Sequence, residues 1–286
     1  MKRLILCVDD FGLKPEINEA VAELVEAGLV SATGCLSQGP AWRKGVPLLQ
    51  GALRSRLDVG LHFNLTEAFA ANAGRTQPPW AMPLTRVIGR ALMRALDPQA
   101  LQRAVCSQLD DFEDAWGTGP DFVDGHQHVH QLPQVREALL AELLRRYGPG
   151  GSAPLPWLRL TRARRGPQGV DLKQRVIESL GSGGFETQAR RAGFRLNGAL
   201  LGVYGFDADT TGYAKRLRSW LDQAHEGDVL MMHPARARTG QGAANDAIAH
   251  AREVEYTVLR EQGTALLALA GACSGRMASK SSILRP

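Results

Sequence analysis

The chain has few cysteines, no long apolar run and little excess charge, and each shortage removes a class of protein. Four cysteines in 286 residues, Cys7, Cys35, Cys106 and Cys273, stand far apart without a Cys-x-x-Cys pair. A disulfide framework or a structural zinc knuckle is therefore not expected. Cys7 and Cys35 fall in strand-like apolar runs, where a thiol serves as a small buried hydrophobe. No stretch approaches the length of a membrane span, so stable membrane insertion is not expected. The opening apolar run, 4–8, is too short for the core of a signal peptide and ends in two acids. A cytoplasmic protein with reduced thiols is the expectation. The net charge is only +5, with the basic residues scattered except at Arg159, Arg162, Arg164 and Arg165. A nucleic-acid binder would carry a concentrated basic stripe and a recognisable motif, so nucleic acid is not an expected partner.

What is present is an ordinary supply of core formers, 44% hydrophobic against 22% charged, arranged in alternating strand and helix patterns. Strands are read at 3–8, 30–36, 57–63, 121–124, 157–160, 196–204, 228–232 and 264–269. Helices are read at 15–28, 97–115, 133–147, from Leu172 onward, 210–225 and 247–261. Residues 64–83 are rich in small residues and proline, too long for a simple connection, and read as an active-site loop or lid. Seven or eight β/α units without a linker predict one α/β domain, barrel-like, over residues 1–273. Residues 274–286, polar and basic without periodicity, read as a flexible tail.

Four strand-like runs end in residues that handle metals or protons. They are Cys7-Val8-Asp9-Asp10-Phe11-Gly12, Gly60-Leu61-His62-Phe63-Asn64, Asp124-Gly125-His126-Gln127-His128-Val129-His130 and Met231-Met232-His233-Pro234. Parallel α/β folds gather strand ends at one mouth. Adjacent carboxylates repel, so Asp9-Asp10 asks for a cation or a shared proton; one could bind a divalent metal and the other act as general base. Taken alone, the pair reads better as a solvated loop or a helix cap, because acids are common at helix starts. His62 alone would be an ordinary strand-end histidine. In an extended His126-x-His128-x-His130 segment the three rings would share one face of the mouth. Pro234 biases His233 to an extended conformation at its strand end, where it could protonate a leaving group. Convergence of all four on one mouth points to a metal-dependent hydrolase.

Those four segments, in that order, resemble the YdjC-like carbohydrate deacetylases, a family that includes chitooligosaccharide deacetylases and hopanoid-associated glycolipid deacetylases. Weaker echoes lie at Trp157-Leu158-Arg159 and Gly202-Val203-Tyr204-Gly205-Phe206. The resemblance extends from the first strand to about residue 270. It implies a distorted (β/α) barrel of about seven parallel strands and hydrolysis of an N-acetyl group on an amino sugar. It implies one divalent ion, magnesium or zinc, on Asp10, His62 and His126, with Asp9 as base. Two positions depart from the family pattern: Cys7-Val8 precedes the acid pair where a small or polar residue is more usual, and Gln127 sits inside the cluster.

On this reading His233 acts as an imidazolium acid, and Arg159, Trp80, Asn64 and His128 are the expected substrate-side residues. Arg159 could orient His233, a carboxylate or a sugar hydroxyl. Trp80 could stack on a sugar face, and His128 could instead support the metal site from behind. One alternative is a different metal-dependent barrel hydrolase, a phosphoesterase or amidohydrolase, for which two ions would speak. The other is a catalytically inactive sugar-binding relative. The sugar, its length and any lipid or phosphate on it are not legible. A homodimer is open only by analogy with related barrels.

Overall fold

The protein is described by a computed structural model covering residues 1–69, 80–151, 153–165, 171–237 and 246–277. The strands are β1 (Lys2–Phe11), β2 (Ala32–Cys35), β3 (Asp58–Phe63), β4 (Phe122–Gly125), β5 (Trp157–Leu158), β6 (Leu200–Leu201), β7 (Val229–Met232) and β8 (Ala272–Ser274). The helices are α1 (Pro15–Glu26), α2 (Trp42–Gly45), α3 (Leu84–Leu92), α4 (Pro98–Trp116), α5 (Val135–Tyr147), α6 (Leu172–Ser179), α7 (Ser182–Arg191), α8 (Thr210–Gln223) and α9 (Ala249–Leu269). Seven strands pair in the order β5-β4-β3-β2-β1-β7-β6, all parallel, and β8 pairs with the start of β1. Two isolated parallel bridges, Leu158 with Leu196 and Ala163 with Leu200, join the ends of this order. The result is the expected α/β architecture, a curled and distorted barrel.

Helices cover the outside because their apolar stripes match the outward faces of the strands. On α1, Ile17, Val21, Leu24 and Val25 are buried, and Pro15 opens the helix where its missing N–H costs nothing. These side chains join Leu4, Leu6 and Val8 of β1 in the outer core. Each such fully buried aliphatic group contributes about 1.5–3 kcal/mol.

The alternate residues of the strands point inward. Ile5, Cys7, Phe122, Trp157, Val229 and Met231 form a separate apolar cluster inside the barrel. Strand periodicity continues each of these stacks upward by two residues, to Asp9, Asp124, Arg159 and His233. On β3, Gly60 leaves room for the Phe122 ring, and His62 follows two residues on. The same rule that fills the barrel with apolar side chains thus crowns it with ionisable ones.

Four expectations are corrected. Residues 264–269 continue α9 and are not a strand; the last strand is β8. Among the described residues, helices α2, α3 and α7 lie outside the helical ranges expected from sequence. The histidine cluster is not extended but a 3-10 turn, His126–Gln131, with Gln127 and His128 at left-handed φ of 52° and 62°. The expected tail is fixed as far as Met277: Gly275 N–H donates to Leu4 O (2.9 Å), and Met277 N–H to Asp58 Oδ2 (3.0 Å). Residues 70–79 of the expected lid and 278–286 of the tail lie outside the described residues.

Candidate active site

Asp9 and Asp10 would point to opposite faces of a regular strand. They do not, because the pairing of β1 with β2 is irregular between Val8 and Phe11 and Asp10 has a φ of 69°. A left-handed non-glycine residue costs about 1–3 kcal/mol and persists only where its surroundings hold it. Here it turns both carboxylates to the mouth, each 1% exposed. Gly12, at φ 94°, completes the exit: a Cβ there would lie 2.8 Å from Leu36 O. Gly34 on β2 makes room from the side, since its Cβ would press on His62 Nδ1 at 3.1 Å.

The two acids have different partners. Both Asp9 oxygens accept from Arg159, Oδ2 from Nη1 (2.7 Å) and Oδ1 from Nη2 (2.5 Å). Asp10 divides its oxygens: Oδ2 accepts from Arg252 Nη2 (2.6 Å), while Oδ1 faces His126 Nδ1 (3.0 Å) and His62 Nε2 (3.6 Å). His62 Nδ1 meets Asp124 Oδ1 at 2.7 Å. His233 Nε2 and His62 Nε2 each lie 4.0 Å from Asp9 Oδ2.

These contacts set the protonation states. Burial would push Asp9 up, but Arg159 and the nearby histidines hold it well below the usual carboxylate range. Burial opposes ionisation of Asp10 too, and Arg252 with His126 overrides it. Burial would lower His126, but Asp10 and Glu67 raise it to about 9. Burial lowers His233 to about 4, against the pull of Asp9 and Asp10. Burial thus disfavours the charged form of His233.

The residues are suited to a divalent ion. One ligand atom each from Asp10, His62 and His126 lie within 4.8 Å of one another. His62 presents Nε2 to that group because its other nitrogen is held by Asp124, the carboxylate–histidine arrangement typical behind a metal ligand. A second group, Asp9, His62 and Asp124, meets the same spacing. Its two carboxylates are already engaged by Arg159, with Nη2 2.7 Å from Asp124 Oδ2.

The remaining expected residues separate. Arg159 is 0% exposed beneath the site, which removes it from the substrate side and leaves its carboxylate-orienting role. Asn64 is also withdrawn: Oδ1 accepts from the Thr66 and Glu67 N–H groups, both 2.9 Å, shaping the turn that presents Glu67. Trp80 is half-buried against the outer core and does not line the cavity formed by the described residues. His128 does line it, with Nδ1 buried and without a hydrogen-bond partner among the described residues. His130 turns away from the mouth, its Nε2 2.8 Å from Arg159 O. The Arg159–Arg165 stretch forms no anion-facing stripe: Arg162 pairs with Glu186, and Arg164 with Asp228. The cavity, about 600 Å³, has the acids and histidines at its floor and largely apolar walls, including Leu84, Ile88, Val176 and Phe206.

Sequence alone assigns no role to several residues of this network, among them Asp124, Arg252 and Glu255. Asp124 was visible as a strand-end acid. Arg252 and Glu255 carried a subtler signal: both lie on the buried stripe of α9 with Ala251, Val254, Val258 and Leu259. Charges in an apolar stripe ask for partners.

With this geometry in view, comparison with known proteins is decisive about kinship. Residues 3–267 match the YdjC-like protein family. The chain belongs to that family. Among its relatives is a carbohydrate deacetylase of Mus musculus, 35% identical over 154 residues, covering 51% of this chain and 48% of the relative. A chitooligosaccharide deacetylase of Escherichia fergusonii is 33% identical over 144 residues, 47% of this chain and 53% of the relative. The chain thus spans about half the length of the curated relatives it matches. An Enterococcus faecalis V583 crystal structure, assigned provisionally to cellobiose-phosphate cleavage, matches with TM-score 0.67 and 17% identity. That match covers 99% of this chain and 98% of the other, so this YdjC-like chain shares its fold from end to end.

Proposed function

We propose that this YdjC-like protein is a metal-dependent deacetylase of N-acetylated amino sugars. The observation that carries the proposal is the meeting of Asp10, His62 and His126 within 4.8 Å, beside a second acid and a further histidine that remain outside the ligand group. The names of its relatives supply the substrate class: carbohydrate and chitooligosaccharide deacetylases. Asp10, His62 and His126 would hold one divalent ion, magnesium or zinc, the nitrogen-rich set favouring zinc by softness. When bound, such an ion supplies Lewis acidity to polarise an amide carbonyl and to acidify water.

Asp9 is ionised and buried beside the ligand group, in place to take a proton from an attacking water. Arg159 fixes both its oxygens, so the carboxylate is oriented at the cost of basicity. His233, neutral at rest, then carries that proton onward: its Nε2 is 4.0 Å from Asp9 Oδ2. A histidine whose burial disfavours its charged form releases a proton readily to a departing amine. One proton leaves water and arrives on the amine, and the other product is acetic acid, which ionises to acetate near neutral pH. His128 faces the cavity and serves the substrate side.

The test is acetate release from N-acetylglucosamine oligomers, followed with and without chelator. A mass-spectrometric screen of acetylated amino sugars and glycolipids with several divalent metals would extend it. Chelator-sensitive loss of an acetyl group is the expected result. Binding of the sugar without any acetate release would favour the inactive sugar-binding alternative, and two ions per chain would favour the phosphoesterase or amidohydrolase.

A further inference from the structure

The peptide unit of His233 is held on both sides by one helix. Its N–H donates to Glu255 Oε2 at 2.6 Å, and its carbonyl accepts from Arg252 Nη1 at 3.3 Å. The two holders are one turn apart on α9, so they lie on the same face. The remaining atoms of both holders are tied as well. Glu255 Oε1 accepts from Tyr204 Oη (2.7 Å), and Arg252 Nε donates to Asp246 Oδ2 (3.0 Å). Arg252 Nη2 reaches Asp10 Oδ2 at 2.6 Å, leaving Asp10 Oδ1 to face the two histidines. Glu255 is 0% exposed and Arg252 4%. Burying two charges is expensive unless every polar atom is used, and here the uses converge on the site.

We propose that Arg252 and Glu255 are positioning residues through which α9 sets Asp10 and His233 in a fixed relation. This rests on the deacetylase reading for the roles of those two residues. Arg252 governs the ligand side by assigning one Asp10 oxygen to the helix and the other to the histidines. Glu255 governs the proton side by fixing where the His233 ring leaves the backbone. Because Pro234 has no N–H, the His233 N–H held by Glu255 is the backbone donor at the ring's own residue.

The two halves separate by mutation. Arg252→Lys keeps a charge but cannot reach Asp10, Asp246 and the His233 carbonyl together; zinc affinity by calorimetric titration is expected to fall 10–100-fold. Glu255→Ala is expected to leave zinc affinity unchanged and to lower kcat about tenfold or more with little change in KM, as for an interaction serving the transition state. Glu255→Gln keeps an oxygen for the His233 N–H and should recover most of that loss. In NMR spectra the His233 amide proton should move upfield in the Ala variant and return in the Gln variant. Wild-type zinc affinity in Arg252→Lys, or equal kcat losses in both Glu255 variants with an unmoved amide, would overturn the proposal. If the wild-type protein releases no acetate, the deacetylase reading fails, while the titration and the amide resonance still judge the clamp.

Discussion

Arg159 shows how much one buried residue has to balance. It is wholly buried with Asp9 and Asp124 on its guanidinium and the Cys7 thiol 2.9 Å from Nη2. Removing one partner of such a group strands the others, at a cost of about 3–5 kcal/mol. Arg159→Met is therefore expected to lose that much stability in urea unfolding; a loss under about 1 kcal/mol would mean the carboxylates find other partners. Glu255 gives a pH-dependent counterpart. Burial raises it from 4.5 to about 7, so the folded protein binds this proton more tightly than the unfolded chain. Its contribution is fully present below pH 4.5 and is lost as pH rises through about 7. Between pH 5.5 and 8 that amounts to roughly 2 kcal/mol. Glu255→Gln cannot titrate, so its stability relative to wild type should improve by that amount over the interval. An unchanged difference between the two proteins would show that Glu255 does not titrate there.

At the scale of elements, what was legible in the sequence is what periodicity encodes. Alternation placed Asp9, His62 and His233 at strand ends, and their gathering at one mouth follows from parallel topology. Backbone conformation that breaks periodicity was not legible. Nothing in the letters of Asp10, Gln127 or His128 announces a left-handed φ, yet these three residues decide which side chains face the cavity. The turn at His126–Gln131 sends His126 to Asp10 and His130 to the carbonyl of Arg159, so three histidines became one ligand candidate, one cavity residue and one strut. Helix α7, Ser182–Arg191, has two glycines in its first turn, Gly183 and Gly184, which argue against a helix locally, and tertiary contacts override them. Residues 264–269 differ from expectation for a similar reason: the segment is apolar enough for a strand, but α9 carries it on. Beyond it, β8 and Arg276 close the base of the barrel, where Asp58 accepts from Trp157 Nε1 (3.1 Å), Arg276 Nε (2.5 Å) and Met277 N–H (3.0 Å). Asp58→Ala leaves a buried indole N–H unpaired and should cost about 1–3 kcal/mol in chemical unfolding. Because this base lies at the opposite end from the site, kcat measured well below the melting temperature should be unchanged; a fall would mean that the base is coupled to the mouth.

Over the whole molecule, the site and the stability of the fold are joined by charge. Asp9, Asp10 and Asp124 set three carboxylates against two guanidiniums, Arg159 and Arg252, in one buried layer. A cation that binds only the folded protein stabilises it by mass action, by about 4 kcal/mol at a thousandfold excess over its Kd. Zinc or magnesium should therefore raise the unfolding free energy, and its slope against the logarithm of free metal should correspond to one ion per chain. Asp10→Ala should abolish the increase, because Asp10 contributes one of the three ligand atoms. Asp9→Asn should preserve the increase while acetate release falls by a factor of about 10²–10⁴, the range set by loss of a general base. The pair of variants assigns the two neighbouring acids by different observables. If Asp9→Asn instead loses the metal-dependent stabilisation and Asp10→Ala retains it, the ligand and the base are exchanged, and Arg159 rather than Arg252 becomes the residue that supports the metal.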